Sequence, residues 1–300
     1  MPLWIPLTIC AAFLQNLRTA LQKAIKGRLT TAGAAYARFF YAWPLGLLYL
    51  WGLLEFGGYT LPPMNAEFLL FCLLGSISQI LFTVVLLWLF SFRSFAVGTT
   101  FSKLEVVLIA AIGALLLGDT ITALAVLAVA VGAAGTIILA MQETRLSLGG
   151  LVRGLREKAT AVGLLSAALL GASVVFFRAA GLSLDAPVVL AAGYALAVSL
   201  VMQTVMMGVW FLVFDPGELR AVIREWRRAG PVGVIGMMGS VCWFTAFTLQ
   251  NAAYVRALGQ VELIFTFVIS VFYFKETISR TEIAGILLIL VAILLILLAA

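Results

Sequence analysis

Two glutamates, Glu105 and Glu262, are the residues best placed to do chemistry, because each interrupts a long apolar segment. Glu105 lies in FSKLEVVLIAAIGALLLG (101–118), and Glu262 lies in QVELIFTFVISVF (260–272). An ionised carboxylate inside a bilayer costs about 2.5–3.5 kcal/mol on insertion scales, so such residues usually face a cavity or a charged partner. Desolvation disfavours the charged form and lets a carboxyl group hold and exchange a proton near neutral pH. We therefore expect Glu105, Glu262 or both to exchange a proton for a cationic substrate group and so couple proton entry to substrate exit.

A basic neighbour accompanies only one of the two glutamates. Lys103 stands two positions before Glu105, whereas Gln260 occupies the equivalent position near the second glutamate. On a continuous helix, positions two residues apart point about 200° apart and do not face each other. We therefore expect Lys103 to modulate one side of the site. The alternative is that each glutamate forms a fixed salt bridge, for instance with Arg18, Arg38 or Lys103, which holds helices together.

Other polar and aromatic residues inside apolar segments complete the predicted binding site. Arg18 and Arg38 could hold a carboxylate or phosphate group, or could pair with a glutamate. Gln15 and Gln79 could line the same polar cavity. Trp243 could form part of an aromatic wall, although such residues also commonly face lipid or the membrane interface. The sequence leaves these alternatives open.

The composition requires a membrane environment for these residues. Of 300 residues, 64% are hydrophobic and 11% are charged, whereas a soluble domain averages about 45–50% apolar and about 25% charged residues. A segment of about 20 apolar residues spans a hydrocarbon core about 30 Å thick. We predict an all-α integral membrane protein with ten transmembrane helices, at about 3–24, 31–53, 66–90, 96–118, 120–140, 160–181, 186–213, 231–252, 256–275 and 280–299.

The missing residue types exclude several classes of function. The sequence contains no histidine, which removes histidine metal sites, Ser–His triads and histidine proton relays. Cys10, Cys72 and Cys242 fall in different spans without the spacing of metal ligands. We therefore expect no metal, no cofactor and no enzymatic activity. The net charge of +6 lies in loops beside the spans rather than along a groove, so we expect no nucleic-acid partner.

An internal repeat relates the two glutamates. Shifting the chain by 157 residues aligns KLEVVLIAAIGALLLGDTI (103–121) with QVELIFTFVISVFYFKETI (260–278). Glu105 then falls on Glu262, and the spans that follow align without a gap. We predict two five-helix repeats joined by a basic linker, with bounds of 1–145, 146–159 and 160–300. Because five is odd, the second repeat must enter the membrane from the opposite side, as in secondary transporters built from inverted-topology repeats.

These features resemble a known family of membrane proteins. Ten spans, the five-plus-five inversion and an acidic residue followed by threonine after each fourth span, Asp119-Thr120 and Glu276-Thr277, are similar to the drug/metabolite transporter (DMT) superfamily, specifically its two-EamA-domain, ten-span members. We expect both pairs to cap the helices that follow them. The resemblance covers essentially the whole chain. It implies a bacterial inner-membrane carrier, often an exporter of amino acids, other metabolites or drugs. Many relatives carry proline where this chain has Glu105 and Glu262, so the glutamates mark a specialisation.

We accordingly predict a secondary active transporter, a proton-coupled exporter of a small amphipathic or zwitterionic metabolite such as an amino acid or a drug-like amine. The expected partners are this small-molecule substrate, protons and the lipid bilayer, and the protein is expected to be a monomer or a homodimer. Two alternatives share the fold. A lipid-linked sugar or headgroup translocator would use Arg18 and Arg38 to hold a phosphate, whereas a passive uniporter would need no proton.

The basic residues predict the orientation in the membrane. Of the 19 lysines and arginines, 13 fall in odd-numbered connections between spans: Lys26, Arg28, Arg93, Arg145, Arg153, Arg156, Lys158, Arg220, Arg224, Arg227, Arg228, Lys275 and Arg280. The even-numbered connections hold at most Arg178 and Arg256. By the positive-inside rule the odd-numbered connections are cytoplasmic. Both termini of a ten-span chain then lie on the outer side, although members of the resembled family are usually drawn with cytoplasmic termini.

This orientation is tested by fusing alkaline phosphatase after Ala300 in a bacterial host. Phosphatase needs disulfides, which form outside the cytoplasm, so we expect activity from this fusion. A control fusion after Arg153, in a predicted cytoplasmic connection, should be inactive. An inactive terminal fusion together with an active control would reverse the predicted orientation.

Overall fold

Helices make up almost the whole chain. The computed structural model describes residues 2–25, 28–89, 92, 95–143, 147–272 and 279–300. Within those residues there are fifteen α-helices: α1 (Trp4–Ala24), α2 (Thr31–Phe40), α3 (Trp43–Glu55), α4 (Ala66–Leu89), α5 (Phe95–Ser102), α6 (Glu105–Leu117), α7 (Ala123–Glu143), α8 (Leu148–Gly154), α9 (Lys158–Leu182), α10 (Val188–Phe214), α11 (Pro216–Arg224), α12 (Trp226–Leu249), α13 (Ala252–Gly259), α14 (Val261–Phe272) and α15 (Arg280–Ala299). The all-α prediction is confirmed.

Seven segments of the described chain are long and apolar enough to cross a membrane. They are Ala66–Leu86, Thr100–Leu117, Ala123–Met141, Lys158–Leu182, Val188–Phe214, Trp226–Leu249 and Arg280–Ala299. These segments correspond to predicted spans 3 to 8 and 10. The first predicted span is the single helix α1, which has 21 residues but carries Gln15, Asn16 and Arg18. Predicted spans 2, 4 and 9 are each divided into two helices, so the count of ten stays a prediction.

A proline divides the second predicted span, 31–53. Helix α2 ends at Phe40, and α3 begins with Pro44 in its first turn. Proline lacks an N–H donor, and its ring clashes with the carbonyl four residues earlier, which here belongs to Phe40. In the first turn of a new helix neither defect matters. The chain therefore ends one helix and starts another.

The two arginines assigned to even-numbered connections lie elsewhere. Arg178 lies inside α9, and Arg256 lies inside α13, which agrees with the predicted upper limit of two basic residues in those connections. Among the described residues, the connections 56–65, 118–122, 183–187 and 250–251 then contain no lysine or arginine. Several basic residues counted in odd-numbered connections, such as Arg220 and Arg227, also lie inside helices, and the orientation stays a prediction.

Hydroxyl groups cap the helices that follow the acid–threonine pairs. The hydroxyl of Thr122 accepts a hydrogen bond from the backbone N–H three residues later, at 3.2 Å. The hydroxyl of Ser279 does the same at the start of α15, at 3.1 Å. These two caps are 157 residues apart, the shift of the sequence repeat. The prediction that Asp119-Thr120 caps α7 is therefore wrong by two residues, and Glu276-Thr277 lies outside the described residues.

The contacts divide the chain into two compact units. The first unit contains Met1–Ile80 and Phe176–Gln250, and the second contains Leu81–Val175 and Asn251–Ala300. Each unit takes helices from both halves of the sequence. The two units are defined by which residues contact each other in space, and they do not coincide with the two sequence repeats. The repeat bounds 1–145 and 160–300 therefore stay a prediction.

Small residues bring helices together in the first unit. Helix α1 packs along α12, where a Cβ built on Gly239 would lie 3.3 Å from Cβ of Leu14. One turn earlier on α12, Gly236 faces Arg18, so the two helices are antiparallel. Helices α3 and α10 also pack against each other, with Gly46 against Leu200. Small residues allow such close approach, which dispersion forces then stabilise in a lipid environment.

The first connection lies beside α11 in the same unit. The carboxylate of Glu218 accepts hydrogen bonds from the backbone N–H and the hydroxyl of Thr30, at 2.7 and 2.8 Å. Arg28 also forms an ion pair with Glu225, at 3.6 Å. A Cβ on Gly33 would lie 1.8 Å from the Glu218 carboxylate, so only glycine leaves room for this contact. The connections around residues 28–30 and 215–225 therefore lie on the same side of the unit.

In the second unit, α7 packs antiparallel to α15. A Cβ built on Gly135 would lie 2.8 Å from the carbonyl oxygen of Gly285 and 3.0 Å from Ile289. Nearby, a Cβ on Gly132 would lie 3.2 Å from Ala292. The backbones thus approach each other closely enough that a methyl group has no room at position 135.

We expect Gly135→Ala to lower the free energy of unfolding by about 1–3 kcal/mol, the usual cost of overpacking. The clash is with backbone rather than with a flexible side chain. Gly52→Ala in α3 is the control, because a Cβ there meets nothing within 4 Å, and it should change stability by no more than about 1 kcal/mol. Unfolding in detergent, followed by circular dichroism, measures both. Equal stability of the two variants would contradict the close α7–α15 contact.

Candidate functional site

Two helix breaks lie at equivalent places in the second unit. One separates α5 from α6 at Lys103, and the other separates α13 from α14 at Gln260. At each break the backbone N–H donates to the carbonyl three residues earlier, at 3.2 Å, which closes a tight turn. The breaks are 157 residues apart. The spans predicted as continuous helices at 96–118 and 256–275 are therefore pairs of half-helices.

The breaks place both glutamates in the first turn of a helix. Glu105 is the first residue of α6, and Glu262 is the second residue of α14. The first N–H groups of a helix lack intrahelical partners, and the helix dipole favours a negative charge there. Lys103 belongs to the turn rather than to the helix of Glu105, so helical spacing does not determine their relative direction, contrary to the sequence-based interpretation.

Glu105 forms an ion pair with Arg256 of α13. Nε of Arg256 donates to Oε1 of Glu105 at 2.8 Å, and Nη2 donates to the same oxygen. The side chain of Arg256 is 13% exposed and that of Glu105 is 16% exposed. A pair shielded from water gains more Coulomb energy than a surface pair, and removing one member leaves the other charge poorly solvated. This contact therefore joins α6 to α13.

Arg256 also attracts the second glutamate. The guanidinium interacts electrostatically with both Glu105 and Glu262. The position equivalent to Arg256 in the first half of the sequence is Thr99, so the repeat supplies two acids but only one arginine. Two carboxylates at matched helix starts thus share a single cation.

The residues at the two breaks differ in chemistry. Gln260 is 7% exposed, and its side-chain oxygen is buried without a hydrogen-bond partner among the described residues. That oxygen lies against α7, where a Cβ built on Gly132 would be 2.5 Å away. Lys103, its counterpart, is partly buried.

The second unit contains four of the predicted site residues: Lys103, Glu105, Gln260 and Glu262.

The other five predicted site residues belong to the first unit: Gln15, Arg18, Arg38, Gln79 and Trp243. Gln79 accepts a hydrogen bond from Gln203 at 2.7 Å, which joins α4 to α10. Trp243 is buried, and its ring stacks on that of Phe247 at 5.4 Å. Gln15 is partly buried in α1.

Arg18 and Arg38 lie close together in the first unit. A Cβ built on Gly236 of α12 would lie 3.2 Å from Cδ of Arg18 and 3.7 Å from Cγ of Arg38. Their charges are near enough to repel each other. The structure therefore brings Arg18 of α1 and Arg38 of α2 together against the surface of α12.

Sequence reasoning missed Arg256 as the partner of Glu105. The residue stood at the start of a predicted span and was counted with the connection charges. Its position four residues before Gln260, one helical turn away, was the available signal. Recognising that signal required knowing that the helix breaks at Gln260, which apolar periodicity does not reveal.

Comparisons with known proteins agree with this architecture. The sequence profile of the EamA-like transporter family matches residues 158–298. A solved structure described as "Crystal structure of protein" is similar over 99% of this chain and 98% of its own length, with a TM-score of 0.68 and 17% identity. At that identity the similarity shows the fold alone. No curated protein matches the sequence significantly.

The shielded ion pair is tested by a double-mutant cycle of Glu105→Gln and Arg256→Gln. We expect a coupling energy of about 1–3 kcal/mol, because each single change leaves the other charge buried. The control cycle uses Glu225 and Arg228, whose pair at 3.1 Å includes an arginine that is 54% exposed, and should give about 0.2–1 kcal/mol. Unfolding in detergent measures all variants. A coupling no larger than the control would show that the pair contributes little to stability.

Proposed function

Because residues 158–298 match the EamA-like transporter family, within the DMT superfamily, we propose that this chain is a secondary active transporter that exports a small amphipathic or zwitterionic metabolite in exchange for protons. An amino acid or a drug-like amine fits this description. The proposed setting is a bacterial inner membrane, with ten spans and both termini on the outer side. The working form is a monomer or a homodimer.

Helix directions support ten spans. If every predicted span crosses the membrane, odd-numbered and even-numbered spans run in opposite directions. Spans 1 and 8 (α1 and α12), 2 and 7 (α3 and α10), and 5 and 10 (α7 and α15) are odd–even pairs, and their contacts are antiparallel. The neighbouring positions of the connections at residues 28–30 and 215–225 also fit this alternation.

Matched local structure supports an inverted repeat. Helices α5 and α13 begin and end 157 residues apart, as do the capping residues Thr122 and Ser279. Discontinuous helices at equivalent places are typical of transporters built from inverted repeats, in which half-helix ends bind substrate or coupling ions.

The single observation that carries the proposal is that Arg256, which is hydrogen-bonded to Glu105, also lies near enough to Glu262 to interact with it electrostatically. When both glutamates are ionised, these three groups have a net negative charge that attracts a cationic substrate group. When Glu262 takes up a proton, Arg256 and Glu105 neutralise each other and the attraction is lost. Proton uptake therefore releases the cation, and proton loss restores the site for another substrate molecule.

Glu262 is the better candidate for the proton carrier. Glu105 accepts two hydrogen bonds from Arg256 and is thereby committed to the arginine. The residue equivalent to Arg256 in the other repeat is Thr99, which has no charge. Glu105 thus anchors the arginine, and Glu262 exchanges the proton. Lys103, in the turn before Glu105, modulates the charge balance.

We expect Glu262→Gln to abolish proton-coupled transport and to weaken substrate binding, because glutamine cannot titrate and has the neutral charge of the protonated, substrate-releasing state. Proteoliposomes loaded with a fluorescent pH indicator are exposed to the common amino acids and to short aliphatic amines. A transported compound should change the internal pH with the wild type and not with Glu262→Gln. The control is Glu67→Gln, which changes an exposed acid at the start of α4 and should behave as wild type. Unchanged coupling in both Glu105→Gln and Glu262→Gln would overturn the proposal.

A further inference from the structure

We infer that Arg18 and Arg38 form an oxyanion site in the first unit, which holds the carboxylate or phosphate group of a bound molecule. The claim deepens the proposed function by adding an anionic group to the chemistry of the substrate. It concerns binding within one unit, so it stands or fails separately from proton coupling at Glu262.

A glycine allows the two arginines to converge. The stems of Arg18 and Arg38 both pass over Gly236, at distances of 3.2 and 3.7 Å from a Cβ built there. A larger residue on α12 would push the stem of Arg18 aside. Helix α12 also packs against both α1 and α2, which carry the two arginines. Three helices therefore fix the positions of the two side chains.

The two arginines lie at similar depths within their helices. Arg18 stands six residues before the end of α1 at Ala24, and Arg38 stands seven residues after the start of α2 at Thr31. At 1.5 Å per residue these separations are about 9 Å and about 10.5 Å. Because one short connection joins these two helix ends, both arginines lie roughly two helical turns from the same side of the unit.

The first unit supplies no acid at that depth. Its six acidic residues all stand at helix ends or in connections: Glu55, Glu67, Asp185, Asp215, Glu218 and Glu225. Among the described residues, no carboxylate forms an ion pair with Arg38. Its guanidinium instead lies 5.0 Å from the ring centre of Phe39. The neighbouring charge of Arg18 repels it.

This arrangement favours binding of an oxyanion. Two adjacent guanidinium groups within apolar helices are costly, and a bound negative group offsets both desolvation and mutual repulsion. Arginine presents planar donors that match the two oxygens of a carboxylate or the oxygens of a phosphate. The second unit differs, because its buried Arg256 already has carboxylate partners. Arg38, by contrast, has no carboxylate partner among the described residues, so an external anion beside it would offset its charge.

The oxyanion could belong to a soluble substrate or to a lipid headgroup, and the experiment separates these sources. Full-length protein is reconstituted in phosphatidylcholine nanodiscs, and its Tm is measured in sodium phosphate or sodium acetate against sodium chloride at equal pH and ionic strength. The same measurement is made in nanodiscs that also contain phosphatidylglycerol. We expect a saturable Tm rise with at least one of these anions, because a ligand that binds only the folded state stabilises it.

Substitutions then assign the effect to the arginine pair. We expect Arg38→Gln to abolish the anion-dependent rise and Arg38→Lys to weaken it several-fold, since lysine keeps the charge but loses the planar donors. Gly236→Ala retains both charges and should also weaken binding by displacing Arg18. The control, Arg220→Gln, removes an equal charge from the exposed face of α11 and should respond as wild type.

Each outcome decides the inference. A response to phosphate or acetate that Arg38→Gln removes identifies a soluble oxyanion, and a response only to phosphatidylglycerol identifies a lipid headgroup; both support the site. If no anion raises the Tm of the wild type, or if Arg38→Gln and Arg220→Gln respond alike, the site does not exist. Glu262→Gln should keep the full anion response, so loss of proton coupling alone leaves this inference standing.

Discussion

The interaction of one partly buried arginine, Arg256, with two partly buried acids, Glu105 and Glu262, is what the proposed mechanism depends on. Charges cannot be left unbalanced in an apolar unit, because the low dielectric makes both their desolvation and their attraction large. Arg256 satisfies Glu105 through two hydrogen bonds and attracts Glu262 as well. Glu105, Glu262 and Arg256 together carry a net negative charge, which a proton on Glu262 or a cationic ligand would offset and which Lys103 in the neighbouring turn modulates. That incomplete balance is what allows protonation to change substrate binding.

The backbone makes this balance possible by interrupting two helices. A continuous helix would place Glu105 and Glu262 on its side, where backbone N–H groups are already hydrogen-bonded. The turns at Lys103 and Gln260 instead start new helices, and each start provides free N–H groups and a favourable dipole for a carboxylate. Close helix contacts hold these half-helices in position: glycines on α7 let it approach α15 and leave space for the buried side chain of Gln260. Packing and electrostatics are therefore coupled through the same few small residues.

The matched positions carry unmatched charges. Arg256 corresponds to Thr99, and Gln260 corresponds to Lys103, so the two repeats share their acids and differ in their bases. The units also differ in charge. The interior helices of the first unit carry arginines with acids only at their ends, whereas those of the second combine acids with Arg256. Such asymmetry would allow one type of backbone to serve two tasks, recognition of an anionic group in one unit and proton exchange in the other.

The sequence by itself determined the all-α membrane class, the shift of 157 residues and the pair of equivalent glutamates, because hydrophobicity and repetition are properties of residue order alone. It also carried the resemblance that the family match confirms. Tertiary structure decided that spans 4 and 9 break, that Thr122 rather than Asp119-Thr120 caps α7, and that Arg256 is the partner of Glu105. Apolar composition is the same for one long helix and two short ones, so it cannot locate a break. The partner of a buried charge depends on which side chains meet after packing, and residues 151 positions apart in sequence meet only in the folded chain.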